Sequence, residues 1–568
     1  MVGAVRRGDL ALAGALAVLG VTLALWQGVL PRAGLRTMID EHAYELQART
    51  LLSGRLSLPA PALPEFFEAP QILVEPVYAA KYLPGNALFL APGVAVGVPL
   101  LMPLLALALV CALLTLLLRR FGQPRWVAAA GALVFAVSDE TMTEFPTLLS
   151  HAASTSLAVL AVLLMVALHE RRDARLCALL GAAAGLSGAV RPFSGVALTL
   201  AAGVTLLSVR ASWREWLALA APLALCGVAL LAFNHAITGH ALVDPWRLWA
   251  QQYAPWDGPG VGPLRTTAPA RAVPDHLAPL LTEYRNSRLR YMPGNLLAAW
   301  LVRARLAMTI LPSPFLVLLC PLGRAAALRE GLLGPLVFAV ALALLQLLHH
   351  FFLRVYWLDV LPLLAILVAL GLARCWTWVQ PGGLADTRPR RALAYAALSA
   401  AAMLALYVFE FDIDPLGPSA LVILGLLSLA AAARRSLATP QLARGCLAAL
   451  ALVLLVKCAR DVHADVESEH REDAQNLEQF ARFEAAASEV KARHGILFIR
   501  YGANAHKLFR MATPGLGVSD PPLILALDRG DDDQRLMALF PGRPAFRYDV
   551  ATRALAAIPP APLTAPRP

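Results

Sequence analysis

The stretch MIDEHAYELQARTLLSG (38–54) sets a carboxylate pair, Asp40 and Glu41, on a short amphipathic segment just after the first apolar run of the chain. Carboxylates at that place either complement the positive end of a helix, a modest electrostatic gain, or serve chemistry at the membrane surface. Further along, Lys81 and Tyr82 stand directly before a Pro-Gly start to an apolar helix in VYAAKYLPGNALFLAPG (77–93). A lysine there sits at headgroup depth, where a cation near a helix N terminus is suited to hold a lipid phosphate, the plainer alternative being a snorkelling lysine. The turn SDETMTEFPTLLSH (138–151) adds Asp139, Glu140, Glu144 and His151 at the mouth of two apolar runs. Arg191, beside Pro192 at the end of a Gly-rich run, is either a turn residue or a charge that has found a partner, since an unpaired arginine is costly in a bilayer.

Only a membrane protein has the elements to position such groups. The chain has 568 residues, 58% of them hydrophobic and 15% charged, and Leu and Ala runs recur almost to residue 456, which fits no soluble class. Its net charge of +11 comes mostly from short basic clusters between apolar runs, the positive-inside pattern, rather than from an arm or patch that would bind nucleic acid. The seven cysteines are scattered and lack metal spacing, so neither a disulfide framework nor a zinc site is expected.

Pairing apolar runs with basic clusters predicts an all-α polytopic membrane domain of about 13 transmembrane helices. The run 10–30 follows Arg6-Arg7 and is too long and uninterrupted for a cleaved signal peptide, so it stays as a span. Gly97-Val98-Pro99 breaks the run 86–118 into a short or re-entrant piece, 86–96, and a crossing at 99–118. Further crossings are expected near 126–137, 151–168, 176–190, 193–209, 216–233, 305–322, 331–348, 356–373, 392–409, 418–433 and 445–456. This arrangement leaves the basic clusters with the N terminus and puts loops 31–83, 138–150 and 234–300, the turn 410–418 and the tail outside.

The tail differs from residues 1–456 in composition. Residues 457–494 are densely charged with helical spacing, and ILFIRY (496–501) and PLILALD (522–528) read as short buried strands, so 457–568 forms a small α/β extramembrane domain. Asp531-Asp532-Asp533 lacks the Gly and Glu spacing of a calcium loop and reads as a solvated turn or a weak cation site. His349-His350 has no third metal ligand in view. Trp246, Trp249, Tyr253 and Trp256 suit either sugar stacking or an interfacial aromatic belt. As a helix, 39–51 puts Ile39, Ala43, Leu46 and Thr50 on one face and Asp40, Glu41, Tyr44, Glu45, Ala48 and Arg49 on the other, a pattern expected to lie along the bilayer with its acids pointing off it.

The order of these motifs resembles the GT-C superfamily of membrane glycosyltransferases: an Asp-Glu pair after the first span, then KYLPGNALFLAPG, then an acidic or Ser-His turn roughly 100 residues after the pair. The likeness is nearest to the branch of protein mannosyltransferases, lipid A aminoarabinose transferases and RgtA-to-D-like transferases. GLSGAVRPFSG (185–195), FNHAITGHALVDPW (233–246) and RVYWLDVLPLLAILVALG (354–371) are similar to its Arg-Pro, Asn-x-x-x-Thr-Gly and Arg-Tyr…Pro stretches. Leu83 and Val355 depart from the branch's pattern, the second of them next to Arg354.

That resemblance implies an enzyme of the bacterial inner membrane, with active site and C-terminal domain outside the cytoplasm, that passes a sugar from a polyprenyl-phosphate carrier to a glycan, lipid or protein acceptor, usually with inversion. It implies Asp40 as catalytic base with Glu41 as its companion, and substrate contacts from Lys81, Tyr82, Asp139, Glu140, His151, Arg191 and Arg354. Relatives differ in metal use, so a divalent metal stays open, and oligomeric state is not given. A transporter or flippase is the competing class, but it would line a path with intramembrane charges and commonly show repeats, whereas here the charges gather at the outer ends of the spans.

Overall fold

The protein is represented by a computed structural model that describes residues 6–32, 38–258, 260, 268–350, 352–379, 467, 477–501 and 521–559. Its helices begin with α1 (Arg7–Ala24), α2 (Ile39–Leu52), α3 (Gly85–Ala95), α4 (Leu101–Arg120), α5 (Arg125–Ala136), α6 (Asp139–Thr143), α7 (His151–Glu170) and α8 (Ala174–Val190). They continue with α9 (Pro192–Ser208), α10 (Trp213–Thr238), α11 (Pro245–Tyr253), α12 (Ala278–Arg290), α13 (Leu296–Met308), α14 (Cys320–Arg329), α15 (Leu333–Gln346) and α16 (Leu361–Val379).

Four of the described helices are long and apolar enough to cross a membrane: α1 with its π-helical extension to Val29, α4, α7 and α10. Shorter apolar helices, α3, α5, α8, α9, α15 and α16, pack among them. The break expected at Gly97 is present: Gly97 is left-handed (φ +76°), and it separates α3 from α4. Pro192 sets the next break, because the residue before a proline avoids helical angles, and Arg191 is extended between α8 and α9. The crossing expected at 305–322 differs. Pro312 and Pro321 interrupt it, and the chain runs instead through α13, a 3₁₀ segment Pro314–Leu319 and α14. The crossings expected at 392–409, 418–433 and 445–456, and the turn 410–418, lie outside the described residues.

Two small sheets stand beyond the bundle. In the first, β1 (Leu58–Pro59) and β2 (Ile72–Leu73) flank β3 (Val77–Ala80), both antiparallel to it. The second belongs to the C-terminal α/β domain and has the order β5-β4-β6-β7, made of β4 (Ile496–Arg500), β5 (Ile524–Leu527), β6 (Ala545–Asp549) and β7 (Ala554–Ile558). β5, β4 and β6 are parallel and β7 is antiparallel. The two strands read from the sequence are there, and β6 and β7 are additional. β4 is apolar and buried from Ile496 to Ile499 because both faces are covered there, as parallel strands require. Leu497 and Ile499 pack on Phe480, Phe483 and Val490 of a helix over 477–492, while Ile496 and Phe498 pack on Ala43, Leu46, Phe66 and Ile72 from the loop after α1.

The polar face expected on α2 is not open: Glu41, Tyr44, Glu45 and Ala48 are buried along with Ala43 and Leu46. Ala43 and Leu46 face the α/β domain, and Tyr44 and Ala48 face α3 through Ala87, Leu90 and Val94. α2 is thus clamped between the bundle and the extramembrane domain, with Glu41 and Glu45 buried.

Candidate active site

Asp40 stands in the first turn of α2, and the Tyr82 hydroxyl donates a hydrogen bond to its Oδ1. The rings of Tyr44 and Tyr82 stack 4.4 Å apart, and Gln47 Nε2 donates to the Tyr82 carbonyl (2.9 Å), so α2 fixes the corner that follows β3. Lys81 is the residue at that corner, its N–H bonded to the Gln71 carbonyl (3.0 Å). Its side chain is 4% exposed and makes no ion pair among the described residues; Nζ lies instead over the ring of Trp249, 4.0 Å from the centroid. Burial pushes the Lys81 ammonium down to about 8 from 10.5, countered by the negative charges of Asp40 and Asp257. Asp257 is itself raised to about 6 by burial, with Lys81 and Arg288 pulling the other way. Burial holds the Tyr82 phenol well above its ordinary range, and Asp40's charge adds to it, so Tyr82 remains a proton donor toward Asp40.

Gly85 brings the second cation to this corner. A Cβ on Gly85 would stand 2.6 Å from the Ala189 carbonyl carbon and 2.8 Å from Val190 Cγ2, so only glycine lets the start of α3 touch the end of α8. The next residue of that strand-like junction is Arg191. Its Nη1 donates to Nδ1 of His151, the first residue of α7 (3.0 Å), and its guanidinium lies 4.9 Å from the Tyr356 ring centroid. A guanidinium has no acceptor, so Nδ1 of His151 is the acceptor and the imidazole carries its proton on Nε2. Below this group, Asp359 accepts from Ser154 (2.6 Å), Thr155 (3.0 Å) and Ser194 (2.6 Å), lacing α7 and α9 to the turn before α16.

The remaining sequence candidates divide. Arg354 is ion-paired to both Asp139 and Glu140, so these three form a cluster of their own that ties α6 to the 3₁₀ turn Arg354–Trp357. Glu41 accepts from the Leu148 N–H (3.1 Å) and the Met38 N–H (3.4 Å), and it borders a cavity of about 240 Å³ with Arg32, Leu100 and Thr147. His349 and His350 stack on each other at 5.3 Å, and Asp533 is bonded to Arg547 (3.0 Å). Among the described residues no group of three or more His, Cys, Asp or Glu is placed to hold a metal ion. Trp249 and Tyr253 are buried.

Trp249 and Asp257 act on Lys81, Tyr356 on Arg191 and Tyr44 on Tyr82, through ring contacts or charge, and Tyr284 lies within reach of Asp40's charge. Of these, Tyr44, Tyr356 and Trp249 lie in stretches that the sequence singles out. Asp257 and Tyr284 come from the long loop after α10 and carry no local signal. Together the group offers one carboxylate oriented by a phenol and two cations held by aromatic rings. Such a set can take a proton from a hydroxyl and neutralise a departing phosphate.

No described protein family and no curated protein matches the chain in sequence. Among solved structures it is similar to ArnT from Cupriavidus metallidurans bound to undecaprenyl phosphate, with 15% identity, a TM-score of 0.45, and coverage of 96% of this chain and 93% of that one. The apo state of the same protein aligns with a TM-score of 0.43 and 15% identity, covering 95% of this chain and 93% of that one. The oligosaccharyltransferase of Archaeoglobus fulgidus in its apo form aligns at 12% identity and a TM-score of 0.36, over 69% of this chain and 55% of that one.

Proposed function

We propose that this chain is an integral-membrane glycosyltransferase that moves a sugar from a polyprenyl-phosphate carrier to a glycan, lipid or protein acceptor outside the cytoplasm of a bacterium. The observation that carries the reading is Lys81: a buried lysine without an ion pair among the described residues, beside a carboxylate held by a neutral hydroxyl. A buried charge is costly unless something of opposite sign arrives, so the corner is preorganised for an anion. The motif order in the sequence points the same way.

In this reading Asp40 accepts the proton of the acceptor hydroxyl as its oxygen attacks C1 of the sugar. The C1–O bond to the carrier breaks, the phosphate leaves with the electron pair, and the new bond forms with inversion. Tyr82 keeps Asp40 in line, and Lys81 and Arg191 stabilise the charge growing on the leaving phosphate. Arg354, with Asp139 and Glu140, and Glu41 act on the position of the surrounding turns.

Two substitutions test the division of labour. Asp40→Asn keeps the shape but cannot take the proton, and should lower single-turnover transfer by roughly 100-fold or more while lipid-phosphate binding stays near the parent value. Lys81→Ala should instead weaken binding of undecaprenyl phosphate by about 1.5–3 kcal/mol. Full transfer by Asp40→Asn would remove the base, and unchanged lipid affinity in Lys81→Ala would remove the anion site. The orientation is checked by a reporter active only outside the cytoplasm, which should work when fused near residue 260 and fail near residue 122.

A further inference from the structure

A second cavity, of about 720 Å³, opens where the C-terminal domain meets the long extramembrane loops. It sits at the carboxyl ends of the parallel strands β4 and β5, walled by Tyr501 after the first and by Asp528 and Arg529 after the second. Open α/β sheets bind ligands at that end, because the loops leaving the strands diverge there and leave a crevice. The facing wall is Glu68 and the loop segment that carries Arg271 and His276.

The wall chemistry is specific. His276 and Tyr501 stack with centroids 5.2 Å apart and planes 21° apart, which makes a flat aromatic surface. Arg271 Nη2 is 3.0 Å from Glu68, and Asp528 accepts from Arg547 Nε at 2.9 Å, so planar carboxylates and guanidiniums are already oriented around the space. Five carboxylates and three guanidiniums line it, a balance that works against phosphates, and the paired charges work against an apolar ligand. A neutral saccharide suits such a wall: its C–H face packs on aromatic rings, and its vicinal hydroxyls both donate and accept. The volume lies in the range of small-molecule sites and has room for about two or three sugar rings.

The cavity is also joined to Lys81 by a single helix. Trp249 of α11 covers the Lys81 ammonium, and Tyr253, one turn on, donates to Glu68 in the cavity wall (3.1 Å). We propose that this crevice is a saccharide-binding subsite that holds the sugar part of the acceptor while its reactive hydroxyl reaches Asp40; the acceptor role rests on the transferase reading above, the binding does not.

The test uses the full chain in detergent micelles on an array of neutral, phosphorylated and sulfated oligosaccharides, with undecaprenyl-phosphate binding measured on the same samples. The parent protein should retain a subset of the neutral saccharides. Tyr501→Ala and Arg529→Ala should each lower that retention at least tenfold with lipid-phosphate affinity unchanged, which also reports that the variants are folded. Lys81→Ala should do the reverse. Retention of no saccharide by the parent, retention of phosphorylated or sulfated glycans alone, or retention indifferent to both crevice substitutions would overturn the proposal. Loss of lipid-phosphate binding by the parent, with saccharide retention intact, would defeat the transferase reading and leave the subsite standing.

Discussion

Two turns near the mouth of the bundle carry both acids and a cation, and they hold them in opposite ways. At α6, Asp139 and Glu140 close on Arg354, so charge meets charge. At the corner after β3, Asp40 is held by the Tyr82 hydroxyl and Lys81 by the face of Trp249, both neutral partners. The first arrangement pairs each acid with the arginine and fastens two segments together. The second leaves a carboxylate and an ammonium fixed in direction yet electrically available, which is what a ligand with a hydroxyl at one end and a phosphate at the other requires.

The contrast breaks most visibly through Arg354→Ala. It would leave Asp139 and Glu140 buried without their cation, and removing one partner of a buried pair costs about 3–5 kcal/mol. Thermal unfolding in detergent should show a large loss for Arg354→Ala. A variant that unfolds like the parent yet no longer binds lipid phosphate would move Arg354 into the ligand site and erase the distinction.

Lys81 should respond with the opposite sign. Its proton is held less tightly in the folded state, about 8 against 10.5, so the unfolded chain binds more protons between those values and stability rises with pH across that window. Lipid-phosphate affinity needs the ammonium and should fall over the same window, by up to about tenfold per pH unit. Lys81→Met should raise the unfolding temperature and flatten its pH dependence while weakening lipid binding. Parallel pH courses for stability and affinity would mean that Lys81 serves the fold.

Which parts of this were legible in the sequence follows from what each residue depends on. Asp40, Lys81 and Arg191 are marked by their neighbours in the chain: the first turn of a helix after an apolar run, a Pro-Gly helix start, an Arg-Pro junction. Their pairing with partners elsewhere, Asp40 with Tyr82 across 42 positions and Lys81 with Trp249 of α11, is announced by no spacing. The orientation of α2 was misread because amphipathic reasoning assumes one wet face and one lipid face. Here Ala43 and Leu46 belong to an apolar cluster that reaches Ile496 and Phe498 of another domain. β6 and β7 lack the continuous apolar run of β4 and β5: β6 carries Arg547 and Asp549, and β7 is an alanine-rich, largely exposed strand that pairs on one edge only.

Gly85→Ala probes how tightly the two cations are coupled. The new methyl would press on Ala189 and Val190 directly before Arg191, and an overpacked contact of this kind costs about 1–3 kcal/mol. Because α3 and α8 must part to admit it, transfer should fall more than stability does, with Asp40 and Lys81 both intact. Unchanged transfer would show that Arg191 is not held in register by this contact.

The smallest effect is expected where the sequence put the most weight beside Asp40. Glu41 adjoins the base, but its oxygens accept from the Leu148 and Met38 backbones, which ties the turn before α7 to the start of α2. A glutamine keeps an acceptor for Leu148 and gives up the charge and the longer bond from Met38, so Glu41→Gln should cost about 1 kcal/mol of stability and lower transfer by less than about tenfold. Its pH profile for transfer should match the parent's, since the proton still goes to Asp40. A loss as deep as that of Asp40→Asn at unchanged stability would show that the two carboxylates act as one unit, and that the bonds to Leu148 and Met38 describe where Glu41 rests rather than what it does.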